Sequence, residues 1–510
     1  MTSLDNALSG LVKSAAIVFL GSVVGKMLSL LGQVFIVRSL DPTTFGHVAL
    51  AYTVISTVAG LALLGSHDGV TRLMSAEQTV QSHLRVLRAG YTFAFFGGSV
   101  LALTIYAVRF KLGIYLNNDQ LPRLLVAFLP FIFAYPISRI SFSALRVYRQ
   151  SFAATVARDL GPRVGAILLF GVFALSGEAF WGAVVYWVAT PTVMVLLTGY
   201  YLHREISVRH VVSRLPDQEI LHELWSFSWP LAVGSSFFLL LSNVDILMIG
   251  YFMEPYSVGL YRAIQPLRQI TTFVVLGFTF LFLPIATEFY QDGDFEALDR
   301  IYTISTKWVV VITFSPVLVF TLFASDVVRT LFGGDYVPAA PALAILTAGL
   351  FLRAVVGLNG DMARAIDRPR IELYSVTPAV VIDIVLNLIL IPRYGITGAA
   401  AGTVIGYGVY NLIEVVAIYW TVEIHPFSTD SLKPLVPTFL FALALAQMTA
   451  DIKLSLPLLI LIGVLIAIVN LISIVLTRSL SREDLMLFEQ IEKRTGINIQ
   501  YIKSFIRNYY

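Results

Sequence analysis

Cysteine is absent from this chain of 510 residues, and charged residues make up only 13% of it. Without cysteine there can be no disulfide, no thiol nucleophile and no cysteine-ligated metal. Soluble domains carry about 25% charged residues, so this chain has too little polar surface for a water-soluble fold, and its net charge of +3 does not indicate a nucleic-acid partner. Hydrophobic residues reach 57% and the mean hydropathy is +0.80. The composition therefore predicts a polytopic membrane protein.

Catalytic and metal-binding motifs are missing as well. The 7 histidines show no H-E-x-x-H spacing, and the sequence contains no G-x-S-x-G nucleophile motif. Residues 21–27 (GSVVGKM) are one residue too short for a phosphate-binding loop and lack its final Ser or Thr. We therefore expect no enzyme activity, no cofactor and no metal. Transport is the class of function that remains.

Apolar stretches fill the chain from about residue 11 to about residue 477. A membrane-spanning helix needs roughly 20 apolar residues, and the sequence supplies about 14 such stretches. Lys and Arg are more frequent in the loops on the side of the N-terminus, which places both termini in the cytoplasm. We expect an all-α, multi-pass protein of the cell (cytoplasmic) membrane that acts as a monomer.

A short motif occurs twice in the chain. Residues 41–46 (DPTTFG) match residues 254–259 (EPYSVG), and in each case the motif follows a long apolar stretch. An even number of spans per repeat gives two lobes of the same orientation, related by an axis along the membrane normal. The alternative is a chance match, because Gly and Pro are common in turns.

The repeat predicts the domain organisation. We expect an N-terminal lobe of six helices over residues 1–215, a C-terminal lobe of six helices over 216–430, and two further helices over 431–480. Ser481 to Asp484 reads as a capping box that opens a helix, so residues 481–510 are predicted to form a cytoplasmic amphipathic tail on the membrane surface. A tail that binds a partner is the alternative.

Charged residues inside the predicted spans are the most informative feature of the sequence. A charge at the centre of a spanning helix costs about 2.5–3.5 kcal/mol on insertion scales, so these residues must face protein, water or one another. Cations outnumber anions among them: the cations are Lys26, Arg139, Arg158, Arg163, Arg262, Arg268, Lys307 and Arg353, and the anions are Asp159, Asp245, Asp383 and Glu414. A net positive aqueous cavity attracts an anion, and Arg binds phosphate oxygens in pairs.

Some of these charges have local explanations. Arg158 and Asp159 are adjacent and can form a structural pair, and Lys307 can extend its ammonium group toward the membrane interface.

Other polar groups indicate a binding site or a seam between helices. Arg262, Gln265, Gln269 and Thr272 recur at helical spacing and predict one polar stripe, either a cavity wall or a helix seam.

Acidic residues in the spans suggest a coupling site. Asp383 and Asn387 are four residues apart and share a helix face, which fits either a helix–helix hydrogen bond or a site for a coupling cation or proton. Asp245 and Glu414 leave the same alternatives open.

Three stretches carry a resemblance to a known family. They are 31–46 (LGQVFIVRSLDPTTFG), 245–250 (DILMIG) with 258–263 (VGLYRA), and 387–400 (NLILIPRYGITGAA). The chain resembles the polysaccharide transporters (oligosaccharide flippases) of the multidrug/oligosaccharidyl-lipid/polysaccharide flippase superfamily. The resemblance covers about residues 10–425, and the last two spans lie outside it.

The resemblance implies a fold and a function. The fold would be two six-helix lobes around a cationic central cavity, with extra C-terminal helices. The function would be to move an oligosaccharide linked to polyprenyl or dolichyl (pyro)phosphate from the cytoplasmic to the outer leaflet by alternating access, for surface polysaccharide or protein glycosylation. Its partners would be this substrate, membrane lipid and other glycan-assembly membrane proteins. A multidrug or metabolite exporter and a membrane glycan polymerase or ligase are the alternatives.

We expect five cations to hold the phosphate. Lys26, Arg262 and Arg268 lie on helices that flank the cavity in the family, and Arg139 and Arg353 would assist. Gln265 and Gln269 would contact the substrate from the polar stripe.

Overall fold

The computed structural model describes residues 3–63, 65–76, 79–148, 150–206, 216–481 and 484. These residues form helices joined by short turns, and no strand occurs among them, which confirms the all-α prediction. From the N-terminus, the helices are α1 (Ser3–Ser39), α2 (Pro42–Ala62), α3 (Ser66–Ala76), α4 (Val80–Tyr115), α5 (Leu121–Ala127), α6 (Leu129–Val147), α7 (Ser151–Thr155), a π-helix (Val156–Leu160), α8 (Gly161–Leu175), α9 (Ala179–Glu205) and α10 (Gln218–Phe252).

The chain continues with α11 (Pro255–Ile264), a 3-10 turn (Leu267–Gln269), α12 (Ile270–Gln291), α13 (Phe295–Leu322), α14 (Ala324–Phe332), a second 3-10 turn (Gly334–Ala339), α15 (Ala340–Val355), α16 (Asn359–Ala365), α17 (Arg370–Val422), α18 (Thr429–Leu432), α19 (Leu435–Met448) and α20 (Leu456–Leu476). The long α17 is two helices joined at Gly395, whose φ of 59° belongs to the left-handed region that glycine adopts without steric cost.

Many of these helices are long and apolar enough to cross a membrane. Within the described ranges there are nine such helical stretches, or ten if the bent pair α5 and α6 is one span. The multi-pass membrane architecture is thereby confirmed. The number of about 14 spans stays a prediction.

The helices group into two compact units, Met1–Arg262 and Ala263–Tyr510. Each unit has its own apolar core: residues such as Met74 and Leu87 are fully buried in the first, and Phe282 and Tyr302 in the second. The lobe limits expected from the repeat stay a prediction.

The two copies of the repeated motif pack against each other within the first unit. Each proline begins a helix, Pro42 in α2 and Pro255 in α11. A Cβ atom added to Gly46 would lie 1.8 Å from the carbonyl oxygen of Pro255, and one added to Gly259 would lie 1.8 Å from the carbonyl oxygen of Pro42. The contact is therefore reciprocal, and only glycine on both sides allows the two helix starts to approach this closely.

We expect Gly46→Ala and Gly259→Ala each to destabilise the protein by about 1–3 kcal/mol or more, because the new methyl group would overlap a backbone oxygen. Thermal unfolding of the detergent-solubilised protein measures the effect. Gly171→Ala in α8 is the matched control, since nothing lies within 4 Å of its added Cβ and Ala favours the helix. Equal melting temperatures for all three variants would contradict the reciprocal contact.

The last two long helices are attached to α13 by a buried polar group. The Asn470 side chain in α20 donates a hydrogen bond to the carbonyl oxygen of Val311 at 2.7 Å and a second one to Ser315 Oγ at 3.2 Å. Thr438 in α19 donates to Asn470 Oδ1 at 3.3 Å. Because apolar helices gain little from contact with one another in lipid, such bonds and close packing fix their positions.

Lys307 in α13 reaches the segment that follows the last long helix, and its extension toward the membrane interface stays a prediction. Its Nζ lies 2.6 Å from Asp484 Oδ2 and donates to the carbonyl oxygen of Ser479 at 3.1 Å, while Trp308 Nε1 donates to Asp484 Oδ1 at 2.9 Å. The side chains of Lys307 and Asp484 are only 6% and 0% exposed. We call this set of contacts the tail clamp. It gives the buried ammonium group a counter-charge within the protein.

The tail clamp also contains the predicted capping box. Asp484 Oδ2 accepts a hydrogen bond from the backbone N–H of Ser481 at 2.7 Å, which confirms that part of the prediction. Residues 482, 483 and 485–510 lie outside the described residues, so the amphipathic tail stays a prediction.

Asp484→Ala would leave the Lys307 ammonium group buried without its partner, and we expect it to cost about 3–5 kcal/mol of stability. The unfolding transition in detergent is the readout. As a control, Asp430→Ala breaks the half-exposed pair with Lys433 and should cost no more than about 1 kcal/mol. Comparable losses in the two variants would show that the tail clamp is not an anchor.

Candidate functional site

One face of α1 is polar along its length. Ser22, Lys26, Ser29 and Gln33 recur at steps of three and four residues, so they lie on the same side of the helix. The rest of this part of α1 is apolar, and Val18–Ser39 qualifies as a membrane span. The polar face therefore needs partners within the protein.

The π-helix and the start of α8 supply partners for the first three of these residues. Asp159 Oδ2 accepts hydrogen bonds from Arg158 Nη2 at 2.7 Å and from Ser22 Oγ at 3.2 Å. Arg163 Nε donates to Ser29 Oγ at 3.0 Å, and its Nη1 lies 3.7 Å from Asp159 Oδ1. Lys26, half-buried between them, interacts electrostatically with Asp159 and with both arginines. We call Lys26, Arg158, Asp159 and Arg163 the α1 charge cluster.

Arg262, at the end of the first unit, is held by an aromatic ring. Its guanidinium carbon lies 5.3 Å from the centre of the Tyr52 ring, and Tyr52 stacks on Trp187 with ring centres 4.6 Å apart. A guanidinium group over an aromatic face gains cation–π attraction. The backbone oxygen of Arg262 accepts a hydrogen bond from Gln33 Nε2 at 3.3 Å, so the polar face of α1 extends to this residue.

The continuous polar stripe predicted after Arg262 is wrong. The α-helix ends at Ile264, Gln265 lies in a turn with Pro266, and the next residues form a 3-10 turn. Proline has no N–H to donate and disfavours a helical conformation in the residue before it, which breaks the helical spacing on which the stripe depended.

Three of the predicted site residues, Gln265, Arg268 and Gln269, lie in this break. Gln265 is buried and Arg268 is half-buried, both in the second unit. The side chain of Gln269 lies outside the described part of the chain. Binding of substrate by these residues stays a prediction.

Asp383 and Asn387 are fully buried at a close contact between the two parts of α17. Asn387 Nδ2 donates to Asp383 Oδ1 at 3.1 Å, so the two residues bond within one helix. An added Cβ on Gly402 would lie 2.6 Å from Asn387 Oδ1, and one on Gly406 would lie 2.9 Å from Asp383 Cβ. The glycines thus bring the second helical part directly against a buried carboxylate and amide.

Glu414 is also fully buried, further along α17, where it interacts electrostatically with Arg353 and Arg364. A second acidic residue, Asp361 in α16, pairs with Arg364 at 3.0 Å and accepts a hydrogen bond from Thr279 at 2.5 Å. The structure therefore places the predicted residues Glu414 and Arg353 in one electrostatic group of the second unit.

The remaining predicted residues have protein partners. Asp245 in α10 accepts hydrogen bonds from the Tyr261 hydroxyl at 2.9 Å and from the backbone N–H of Ile246 at 2.8 Å. Arg139 in α6 is half-buried and interacts electrostatically with His67. Asp245 is thus fixed between two consecutive helices, and Arg139 belongs to a different part of the first unit from the α1 charge cluster.

Sequence reasoning missed two groupings. It treated Arg158 and Asp159 as an isolated pair, although Arg163 and Lys26 join them, and it did not single out Arg364 or its partner Asp361. The polar face of α1 was a detectable signal for the first grouping, because its spacing is helical. The second also had a local signal, because Asp361 and Arg364 are three residues apart in α16. The interaction of Arg364 with Glu414, by contrast, depends on the approach of α16 to α17.

A family model described as "Polysaccharide biosynthesis protein" matches residues 11–290 of the chain. Among curated proteins, a probable low-salt glycan biosynthesis flippase of Haloferax volcanii, Agl15, is 22% identical over 404 residues, which is 79% of this chain and 82% of that protein. The uncharacterized membrane protein MJ1068 of Methanocaldococcus jannaschii is 23% identical over 270 residues, which is 52% of this chain and only 53% of that relative.

Solved structures share the fold. The lipid II flippase MurJ in an inward closed conformation superposes with a TM-score of 0.70 at 14% identity, covering 88% of this chain and 97% of MurJ. An inward-facing multidrug transporter of the MATE family gives 0.66 at 17% identity, covering 78% of this chain and 94% of that one.

Fold and sequence together define the class of protein. It is a polytopic α-helical membrane protein of the multidrug/oligosaccharidyl-lipid/polysaccharide flippase superfamily, as the resemblance predicted. Within that class, the chain belongs to the polysaccharide biosynthesis protein family. The relatives with a named activity are a flippase and transporters, which confirms the prediction of a transport protein rather than an enzyme.

Proposed function

We propose that this protein is a flippase that moves a polyprenyl- or dolichyl-(pyro)phosphate-linked oligosaccharide from the cytoplasmic to the outer leaflet of the cell membrane. The observation that carries the proposal is the surplus of half-buried cations on apolar helices, above all Lys26, Arg262 and the arginines beside Asp159. Family membership and the likeness to a probable glycan biosynthesis flippase support it.

The electrostatics favour an acidic lipid headgroup over a cationic drug. A sugar–phosphate group that crosses hydrocarbon loses its hydration, and its hydrogen bonds must be replaced. Arginine supplies paired N–H donors that match phosphate oxygens, and these bonds strengthen where water is excluded. A lipophilic cation would instead need a surplus of carboxylates.

Each predicted phosphate-binding residue has a defined place in this proposal. Arg262, whose guanidinium group lies over the Tyr52 ring, is the principal phosphate contact, and Lys26 is the second. Arg268, Arg139 and Arg353 assist at other stages of translocation, while Gln265 and Gln269 contact sugar hydroxyls. The lipid tail stays in the bilayer, and alternating access exposes the headgroup first to one side of the membrane and then to the other.

We further propose the setting in which this transport takes place. The protein acts as a monomer with both termini in the cytoplasm, and other glycan-assembly membrane proteins supply its substrate and consume its product. The Lys and Arg distribution in the loops supports this orientation.

Arg262→Ala should leave the protein folded and inserted but reduce glycan delivery at least about tenfold, since one charge-assisted contact is worth about 1.5–3 kcal/mol. Surface or protein-linked glycan in cells that carry only the variant measures delivery, and the leaflet on which the lipid-linked glycan accumulates identifies the blocked step. Arg300→Ala is the control, because Arg300 is an exposed residue paired with Glu296. Normal glycan levels in the Arg262 variant would refute the phosphate contact.

A buried acidic pair is the candidate for energy coupling. We propose that Asp383 with Asn387 binds a coupling cation or proton, and that Glu414 and Asp245 are further candidates. Complete burial of Asp383 and Asn387 beside Gly402 and Gly406 supports this, because burial penalises the charged form of a carboxylate and so favours its uptake of a proton or a cation.

Asp383→Asn keeps the shape of the side chain and removes its charge. We expect the variant to bind the lipid phosphate normally but to lose at least about tenfold in transport driven by an ion or proton gradient in proteoliposomes, since a neutral amide can neither take up a proton nor neutralise a bound cation. Asp299→Asn, a change in the surface-facing start of α13, is the control. Full gradient-driven transport by the Asp383 variant would remove this site from the mechanism.

A further inference from the structure

We propose that the α1 charge cluster is itself a phosphate-binding site, in which Asp159 is the resident counter-ion that the phosphate displaces from Arg158 and Arg163. This inference rests on the proposed flippase function and adds two arginines to it. They come from the π-helix and α8 rather than from the helices of the repeated motif. The chemical class of ligand is a phosphate or pyrophosphate monoester.

The charges of the cluster do not balance. Within the described residues, Arg158 and Arg163 share the carboxylate of Asp159, and Lys26 lies close enough to interact with all three. The cluster lies against the apolar span Val18–Ser39, where a surplus of positive charge is costly. A bound anion with two or more negative charges would neutralise it, whereas a coupling cation would be repelled.

The arginine side chains of the α1 charge cluster are partly exposed, whereas the charged side chains of the tail clamp are buried. The side chains of Arg158 and Arg163 are 30% and 22% exposed, while Asp159 between them is only 8% exposed. In the tail clamp one lysine and one aspartate match in charge and are sealed from solvent. An ion pair that only stabilises the fold is balanced in charge and buried, as in the tail clamp. The partly exposed surplus of positive charge in the α1 charge cluster therefore indicates a site for a ligand.

The hydrogen bonds of the cluster leave donors for a ligand. Arg158 directs Nε and Nη2 at Asp159 Oδ2, at 3.0 and 2.7 Å, which is a fork geometry that a phosphate oxygen can take over. Nη2 of Arg158 also donates to Ser22 Oγ at 2.6 Å. Because a guanidinium group carries five N–H donors, exchange of Asp159 for phosphate keeps Arg158 satisfied at every stage.

The backbone holds the cluster in a specialised geometry. Arg158 and Asp159 lie in the π-helix Val156–Leu160, a rare local structure that recurs at functional sites. A Cβ atom added to Gly25 would lie 2.6 Å from the backbone oxygen of Asp159, so α1 packs directly on the π-helix. This contact keeps Lys26 next to the two arginines.

The test uses the purified full-length protein in detergent and two probes, farnesyl pyrophosphate and inorganic pyrophosphate, with binding followed by calorimetry. We expect Arg158→Gln and Arg163→Gln each to weaken farnesyl pyrophosphate binding about tenfold or more. Asp159→Asn should strengthen it severalfold, because the competing charge is gone. Arg300→Gln is the control, and Arg158→Lys and Arg163→Lys keep the charge if a glutamine variant fails to fold.

The outcomes separate this inference from the proposed function. Wild-type affinity in the Arg158 and Arg163 variants, with unchanged glycan delivery in cells, would overturn the cluster as a binding site and leave the flippase function standing. Weaker binding after Asp159→Asn would also overturn it, since a resident competitor cannot help the ligand. Equal affinity for inorganic pyrophosphate would assign the site to a free anion and reject the lipid headgroup. The proposed flippase function would instead be refuted by normal glycan delivery in cells that lack the protein.

Discussion

Compensation of charge inside apolar helices is the constraint on which the rest of this structure depends. The tail clamp meets it completely, because Lys307 and Asp484 neutralise each other out of contact with solvent. The α1 charge cluster meets it only in part, since Arg158 and Arg163 share one carboxylate. A buried ion pair of balanced charge stabilises the fold, whereas a partly exposed cluster with surplus positive charge binds an anion. The same physics therefore gives one group of charges a structural role and the other a role in binding.

Glycine determines how closely the helices that carry these groups approach. Gly46 and Gly259 let the two copies of the repeated motif meet backbone to backbone. Gly402 and Gly406 do the same where the second part of α17 meets Asp383 and Asn387. Close backbone contact replaces the hydrophobic driving force that membrane helices lack, and it presses polar side chains into defined positions.

The sequence predicted more of the fold than of the site. Long apolar stretches indicate membrane helices whatever their partners, and the repeated motif showed where two of them begin. The stripe through Gln265 and Gln269 failed because Pro266 breaks the helix, a signal that was visible in the sequence. The partner of Lys307 was missed for a different reason: Asp484 lies far away in the chain, and an ion pair between distant segments leaves no local pattern.

Composition and periodicity by themselves determined that this chain is an all-α membrane protein with surplus positive charge, because the bilayer constrains every helix in the same way. They also determined that the charge must face something other than lipid. Only the tertiary structure decided which charges are neutralised and which remain available. Burial and counter-charge depend on segments that are far apart in the chain, such as α1 and the π-helix, and the free energy of a charge is set by those neighbours rather than by its own sequence.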